Sequence, residues 1–141
     1  MGSNSKNKKA KKSKAKPQAE FRVALYGLAA ETPKGAAVRA VLKDLGIPTR
    51  TVTPEHLDDP VGAVAGLVGF RPALRPFADE APKGEFMLLC NLPNAKLDEL
   101  LAALREADAQ VPHKAVVTKF NKQWPFVRLM EEVSQEHAGV E

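Results

Sequence analysis

Cysteine is almost missing from this chain. Cys90 is the only one among 141 residues, so no internal disulfide can form and nothing points to an oxidising compartment. Histidine is nearly as scarce: His56, His113 and His137 are far apart in sequence and form no ligand pair at metal-binding spacing, so no metal is expected. No apolar run approaches the roughly 20 residues that a membrane helix needs. None follows the N-terminal lysines either, as it would in a secretory signal, and the expected location is the cytoplasm. The glycines follow neither the Gly-x-Gly-x-x-Gly nor the Walker pattern, so phosphate cradling by such a loop has no support and no cofactor is expected. Gly62, Gly66 and Gly69 instead read as places where a helix packs closely or stops.

Charge is present, but it is unevenly placed. Lys6, Lys8, Lys9, Lys11, Lys12, Lys14 and Lys16 stand in the first twenty residues against one acid, Glu20. That segment carries +6 and the whole chain +4, which leaves −2 for residues 21–141. Residues 1–20 hold no aliphatic residue larger than alanine after Met1 and no aromatic, so they bury too little to offset the entropy of ordering and read as a disordered basic tail. Lysines neutralise phosphates and release counterions, giving attachment that is steep in salt and blind to sequence. The tail therefore marks RNA, DNA or a ribosome surface as the candidate polyanionic partner, the alternative being a solubilising leader with no partner. Without an apolar anchor it does not suit a membrane.

From Phe21 onward one domain of ordinary size remains, with strand-like and helical segments in alternation. Phe21–Gly27 reads as the first strand, followed by a helix capped by Thr32, opened by Pro33 and stopped at Gly46. A short polar strand at 49–52 leads to a second helix, capped by Asp59, begun by Pro60 and running along Val61, Val64, Ala65 and Val68 to Gly69. Residues 70–84 hold three prolines and no period, and read as an ordered loop. The third strand, 86–90, is apolar throughout, as a strand buried on both faces is. Asn94 begins a third helix with Leu97, Leu100, Leu101 and Leu104 on one face. Lys114–Thr118 forms the fourth strand, and a final helix starts near Pro125. The expected class is α/β: a small, mostly parallel four-stranded sheet in the order 2-1-3-4 with helices on both faces, the competing arrangement being a split sheet with some antiparallel pairs.

Several of these residues carry a resemblance. Leu25-Tyr26-Gly27, Gly62 to Phe70, Glu85-Phe86-Met87-Leu88, Leu97-Asp98 with Leu101, and Lys114-Ala115-Val116-Val117-Thr118 occur in a familiar order. They continue into Asn121, Trp124, Leu129, Glu132 and Glu136-His137. Together they resemble the bacterial family called domain of unknown function 3783, over nearly all of residues 21–141 and most sharply from Lys114 to His137. The resemblance implies a small cytoplasmic protein and brings no activity, ligand or catalytic residue with it.

In a parallel sheet, ligands gather at the carboxyl ends of strands where the strand order reverses. For order 2-1-3-4 that point lies between the first and third strands. Tyr26, Gly27, Cys90 and Asn91 would meet there, joined by Thr118, Asn121 and Trp124 from the end of the fourth strand. Lys119 and Lys122 add charge to a segment leading into a helix N-terminus, which suits a phosphate or carboxylate. Turn-building by Thr118 and Asn121, packing by Trp124 and simple burial of Cys90 account for the same residue types. With no base placed beside Cys90, a cysteine enzyme is not favoured. The leading expectation is a binding module attached to nucleic acid by its tail. The alternatives are a sensor or enzyme for an anionic small molecule at the strand ends, and a protein-interaction domain using an apolar patch of Phe70, Leu74 and Phe77.

Overall fold

A computed structural model describes residues 21–140, with side chains through Gln135. The lysine-rich segment 1–20 lies outside the described residues, as do the side chains of Glu136 and His137.

The chain forms β1 (Arg22–Tyr26), α1 (Pro33–Asp44), β2 (Thr49–Val52), a single 3₁₀ turn (Pro54–His56), α2 (Val61–Ala65), β3 (Phe86–Cys90), α3 (Asn94–Glu106), β4 (Lys114–Val116) and α4 (Phe126–Val140). The sheet order is β2-β1-β3-β4. β1 and β2 are parallel, as are β3 and β4, whereas β1 and β3 run antiparallel. The expected order and two-faced covering hold, in a mixed sheet whose central pair is antiparallel. The short polar β2 lies at an edge and the all-apolar β3 lies inside, because β3 has apolar side chains to offer both faces and β2 does not.

Two cores follow from the alternation of side chains across the strands. Val23, Leu25, Met87 and Leu89 point to one face and pack with Val38 and Leu42 of α1 and Leu100 and Leu104 of α3. Ala24, Tyr26, Phe86, Leu88 and Cys90 point to the other and pack with Val61 and Val64 of α2 and Phe126, Leu129 and Val133 of α4.

Helix ends obey local chemistry. Thr32 accepts the Gly35 N–H at 3.0 Å at the start of α1, and Gly46 leaves α1 at φ 71°. The second helix departs from the sequence reading. It stops at Ala65, four residues before Gly69, because Gly66 adopts φ 80° and caps it, leaving Val68 largely exposed. Asp59 does not cap it. Its carboxylate instead accepts the Ala73 N–H at 2.8 Å and holds the 67–85 segment.

The two halves of the molecule are related by a local two-fold axis. Ala24 pairs with Leu88 at the middle of the central strand pair, and its neighbours pair reciprocally: Arg22 with Cys90, Tyr26 with Phe86. Away from the sheet, Pro60 bridges Pro125. There Val61 donates to the Trp124 carbonyl and Phe126 to that of Asp59, while Gly62 donates to Lys122 and Val127 to Leu57. Each bond has its mate with the roles of the halves exchanged.

Candidate anion site at the end of the third strand

The antiparallel central pair redistributes the residues expected at one strand-end site. Tyr26 pairs with Phe86 at the start of β3, while Cys90 pairs with Arg22 at the start of β1. Tyr26 and Gly27 therefore lie at the opposite end of the sheet from Cys90 and Asn91. Convergence of all of them required parallel central strands, and it does not occur.

At the Tyr26 end the 82–84 segment crosses the sheet, and a groove of about 500 Å³ lies between it and Tyr26, Gly27, Thr53 and Pro54. The Tyr26 hydroxyl donates to the Pro82 carbonyl at 2.7 Å, and burial pushes its phenol above the ordinary range. A Cβ on Gly27 would meet the Gly84 carbonyl oxygen at 2.0 Å, so the covering segment demands glycine there, as does φ 75°. A Lys34–Glu85 ion pair at 2.8 Å ties the same segment to α1.

At the Cys90 end a cleft of about 340 Å³ stays open. It exists because α2 is only five residues long: the chain turns away at Gly66 where, in the other half, α4 runs on to Val140. Cys90, Ala65, Leu67 and Val117 give it apolar walls. Arg22, Lys119, Lys122, Asn91 and Thr118 supply polar groups, and no carboxylate lines it. Arg22 lies close over Gly66, where a Cβ would come within 2.7 Å of the guanidinium carbon. Neither Arg22 nor the two lysines make an ion pair among the described residues. Lys122 rests 6.0 Å from the Phe70 ring and Lys119 5.3 Å from that of Phe120. Arg50, just behind, is spoken for: its guanidinium donates to the Ala63 and Val64 carbonyls at the end of α2, the first of which also accepts the Gly66 N–H.

Thr118 and Asn121 close the turn after β4. The Thr118 hydroxyl oxygen accepts the N–H groups of Phe120 and Asn121, both at 3.1 Å, which leaves its own proton to donate. Asn121 is buried and both ends of its amide are engaged: its Oδ1 accepts the Thr118 N–H at 2.9 Å and its Nδ2 donates to Val116 at 3.0 Å. It holds the shape of the turn and does not line the cleft. Asn121→Ala strands a buried N–H and a carbonyl, and should cost about 2–4 kcal/mol in denaturant unfolding. A loss under about 0.5 kcal/mol would contradict this role. Trp124 packs against the core with the Arg128 guanidinium 4.2 Å from its ring. It lines a separate groove beside Phe120 and Glu132.

Cys90 forms part of the cleft wall, and burial holds its thiol protonated. Burial pushes its thiol from 9.0 up to about 12, against a smaller opposing pull from Arg22 and Arg50. The folded state thus holds the proton more tightly than the unfolded chain, so its contribution is intact below pH 9 and is lost as the pH rises through 12. The urea midpoint should fall over that window by less in Cys90→Ala than in the parent. Equal falls would show that the thiol is not a contributor.

Of the residues singled out in the sequence, the cleft gathers Cys90, Asn91, Thr118, Lys119 and Lys122. Arg22 was missed because it stands at the opening of the first strand, away from the strand ends where the site was expected. Its separation from Gly66 in sequence gave no sign that they touch. The expected apolar patch does not form: Phe70 covers the bare face of Gly62, Phe77 packs on the core, and only Leu74 of the three stands fully exposed. Among the described residues, no cluster of ligating side chains suits a metal and no helix is long and apolar enough to cross a membrane.

Residues 85–139 match the family model described as a domain of unknown function (DUF3783). The matched span contains the run from Lys114 to His137 that carries the sharpest resemblance, while residues 21–84 lie outside it. No curated protein and no solved structure matches the chain.

Proposed function

We propose that this protein is a binding module for a small anion, a phosphate or carboxylate on an apolar body, held in the cleft at the end of β3. The observation that carries the reading is the meeting of Arg22, Lys119 and Lys122 on a cleft without a carboxylate. The local two-fold axis supplies an internal control. The positions equivalent to these three in the other half are Phe86, Pro54 and Leu57, so the fold itself has no need of cations there. The Thr118 proton adds a neutral donor, and charge-assisted bonds to such donors are the strong kind. A protonated Cys90 without a neighbouring base favours binding over catalysis.

Calorimetric titration of the full chain with pyrophosphate and with a nucleoside monophosphate tests this against an Arg22→Ala/Lys122→Ala variant. One saturable site is expected in the parent and none in the variant, the tail being common to both. Identical isotherms would refute the reading.

A second reading is favoured by the tail. Its seven lysines join the domain at Phe21, next to Arg22 in the cleft wall, which suits salt-sensitive attachment to RNA. Removing residues 1–20 should then weaken RNA binding at low salt. It should also flatten the salt dependence by roughly 0.7 in logarithmic slope for each phosphate no longer neutralised. Unchanged affinity would dismiss it.

A further inference from the structure

We infer that residues 22–66 are a second, diverged copy of the module that the family model matches at 85–139, and that the partner surface of this module is the seam by which one copy pairs with another. The matched span begins one residue before β3 and ends in α4, so it is one complete β-α-β-α unit. The first half repeats that unit in order: β1, α1, β2, α2.

The agreement reaches individual atoms. After β1 and after β3 the next residue has positive φ, Gly27 at 75° and Asn91 at 63°. After α1 and after α3 the same happens at Gly46 and Asp108. Ile47 then donates to Leu42, as Ala109 donates to Leu104. Val23 donates to Pro48 ahead of β2, as Met87 donates to His113 ahead of β4. The sequence keeps traces of the same event. Val-Thr followed by six residues and proline occurs at Val52–Pro60 and again at Val117–Pro125. Pro-x-x-Glu-Phe occurs at Pro17–Phe21 and at Pro82–Phe86, one residue out of step with the strand equivalence of Arg22 and Phe86.

The seam is isologous, each copy offering the same surface to the other. Its bonds are main-chain bonds: the β1–β3 ladder, and the reciprocal pairs of Val61 with Trp124, Phe126 with Asp59, Gly62 with Lys122 and Val127 with Leu57. Main-chain pairing does not depend on which copy supplies the partner. A lone second copy would also leave β3, apolar in all five residues, as an open edge, which is a surface that seeks another strand. The seam therefore fits a second copy of the module, supplied here within one chain.

The cleft takes Arg22 and Gly66 from the first copy and Asn91, Thr118, Lys119 and Lys122 from the second. It is one of the two equivalent seam sites, the other lying under Pro82–Gly84. The inference itself rests on the two-fold relation and stands whether or not the cleft binds an anion.

A protease site inserted between the exposed Leu74 and Arg75 allows the folded full chain to be cut between copies. After denaturation and refolding, native mass spectrometry should detect the mixed pair together with a pair of second copies, the latter growing when the second piece is in excess. Re-formation of the mixed pair while the second piece stays monomeric at roughly tenfold higher concentration would overturn the inference. If neither pair re-forms, a covalent version decides: residues 85–131 replace 21–66 ahead of the native 67–84 segment. That chain should unfold as a monomer in one cooperative transition, and aggregation or gradual unfolding would overturn the inference.

Discussion

Arg22→Ala should weaken anion binding by about ten- to a hundredfold while changing unfolding stability by less than about 1 kcal/mol. The binding loss follows from removing a charged donor from a cleft whose apolar walls limit solvation. The small stability effect follows from its lack of any ion pair among the described residues. Gly66→Ala gives the complementary result. An alanine there would meet the Arg22 guanidinium and would be strained at φ 80°, so it should displace Arg22 and cost about 1 kcal/mol or more of stability. Comparing the two by titration and by urea unfolding separates the group that binds from the backbone that seats it. A Gly66→Ala protein with parental affinity would mean that the position of Arg22 is unimportant.

Phe126→Ala should be among the most damaging single changes, at about 3–5 kcal/mol. Its ring is fully buried and meets Phe86 edge-on at 5.5 Å and 85°, an arrangement worth a further share beyond its area. Its position gives it added weight. Phe126 follows Pro125 on the local two-fold axis and its N–H bonds to Asp59 in the other half. The cavity would therefore open between the halves, where no single element can relax to fill it. Chemical unfolding measures the loss, and a change below about 1.5 kcal/mol would show that the halves do not depend on this packing.

Much of this fold is legible in the sequence because its signals are local. Thr32, Pro33 and Gly46 bracket α1 by capping chemistry that needs no knowledge of the rest of the chain. Phe86–Cys90 announces a central strand by lacking any polar alternation, and the thin β2 belongs at an edge for the opposite reason. Strand direction is not a local property. The antiparallel β1–β3 pairing arises from the long connection between α2 and β3, and nothing in β1 or β3 themselves encodes it. That one sign moved Tyr26 to the far end of the sheet and brought Arg22 to Cys90.

The end of α2 shows a different failure. The apolar stripe continues to Val68, yet Gly66 ends the helix by turning left-handed, and a glycine inside a helical period reads equally well as a packing residue. The same turn opens the cleft over which Arg22 lies. The repeat went unseen because side chains diverged where main-chain geometry did not. Gly27 answers Asn91 and Gly46 answers Asp108, substitutions that keep the rare conformation and discard the letter.

The central claim is that the cleft, with Arg22, Lys119 and Lys122 around it, is where this domain meets an anion. The most direct test is a nitrogen-15 NMR titration of the full chain with pyrophosphate at moderate salt. Shifts concentrated at Arg22, Gly66, Asn91 and Thr118 through Lys122, saturating together, are the predicted result. Shifts confined to residues 1–20, with those cleft amides unmoved, would contradict it and leave the tail as the chain's only anion-binding element.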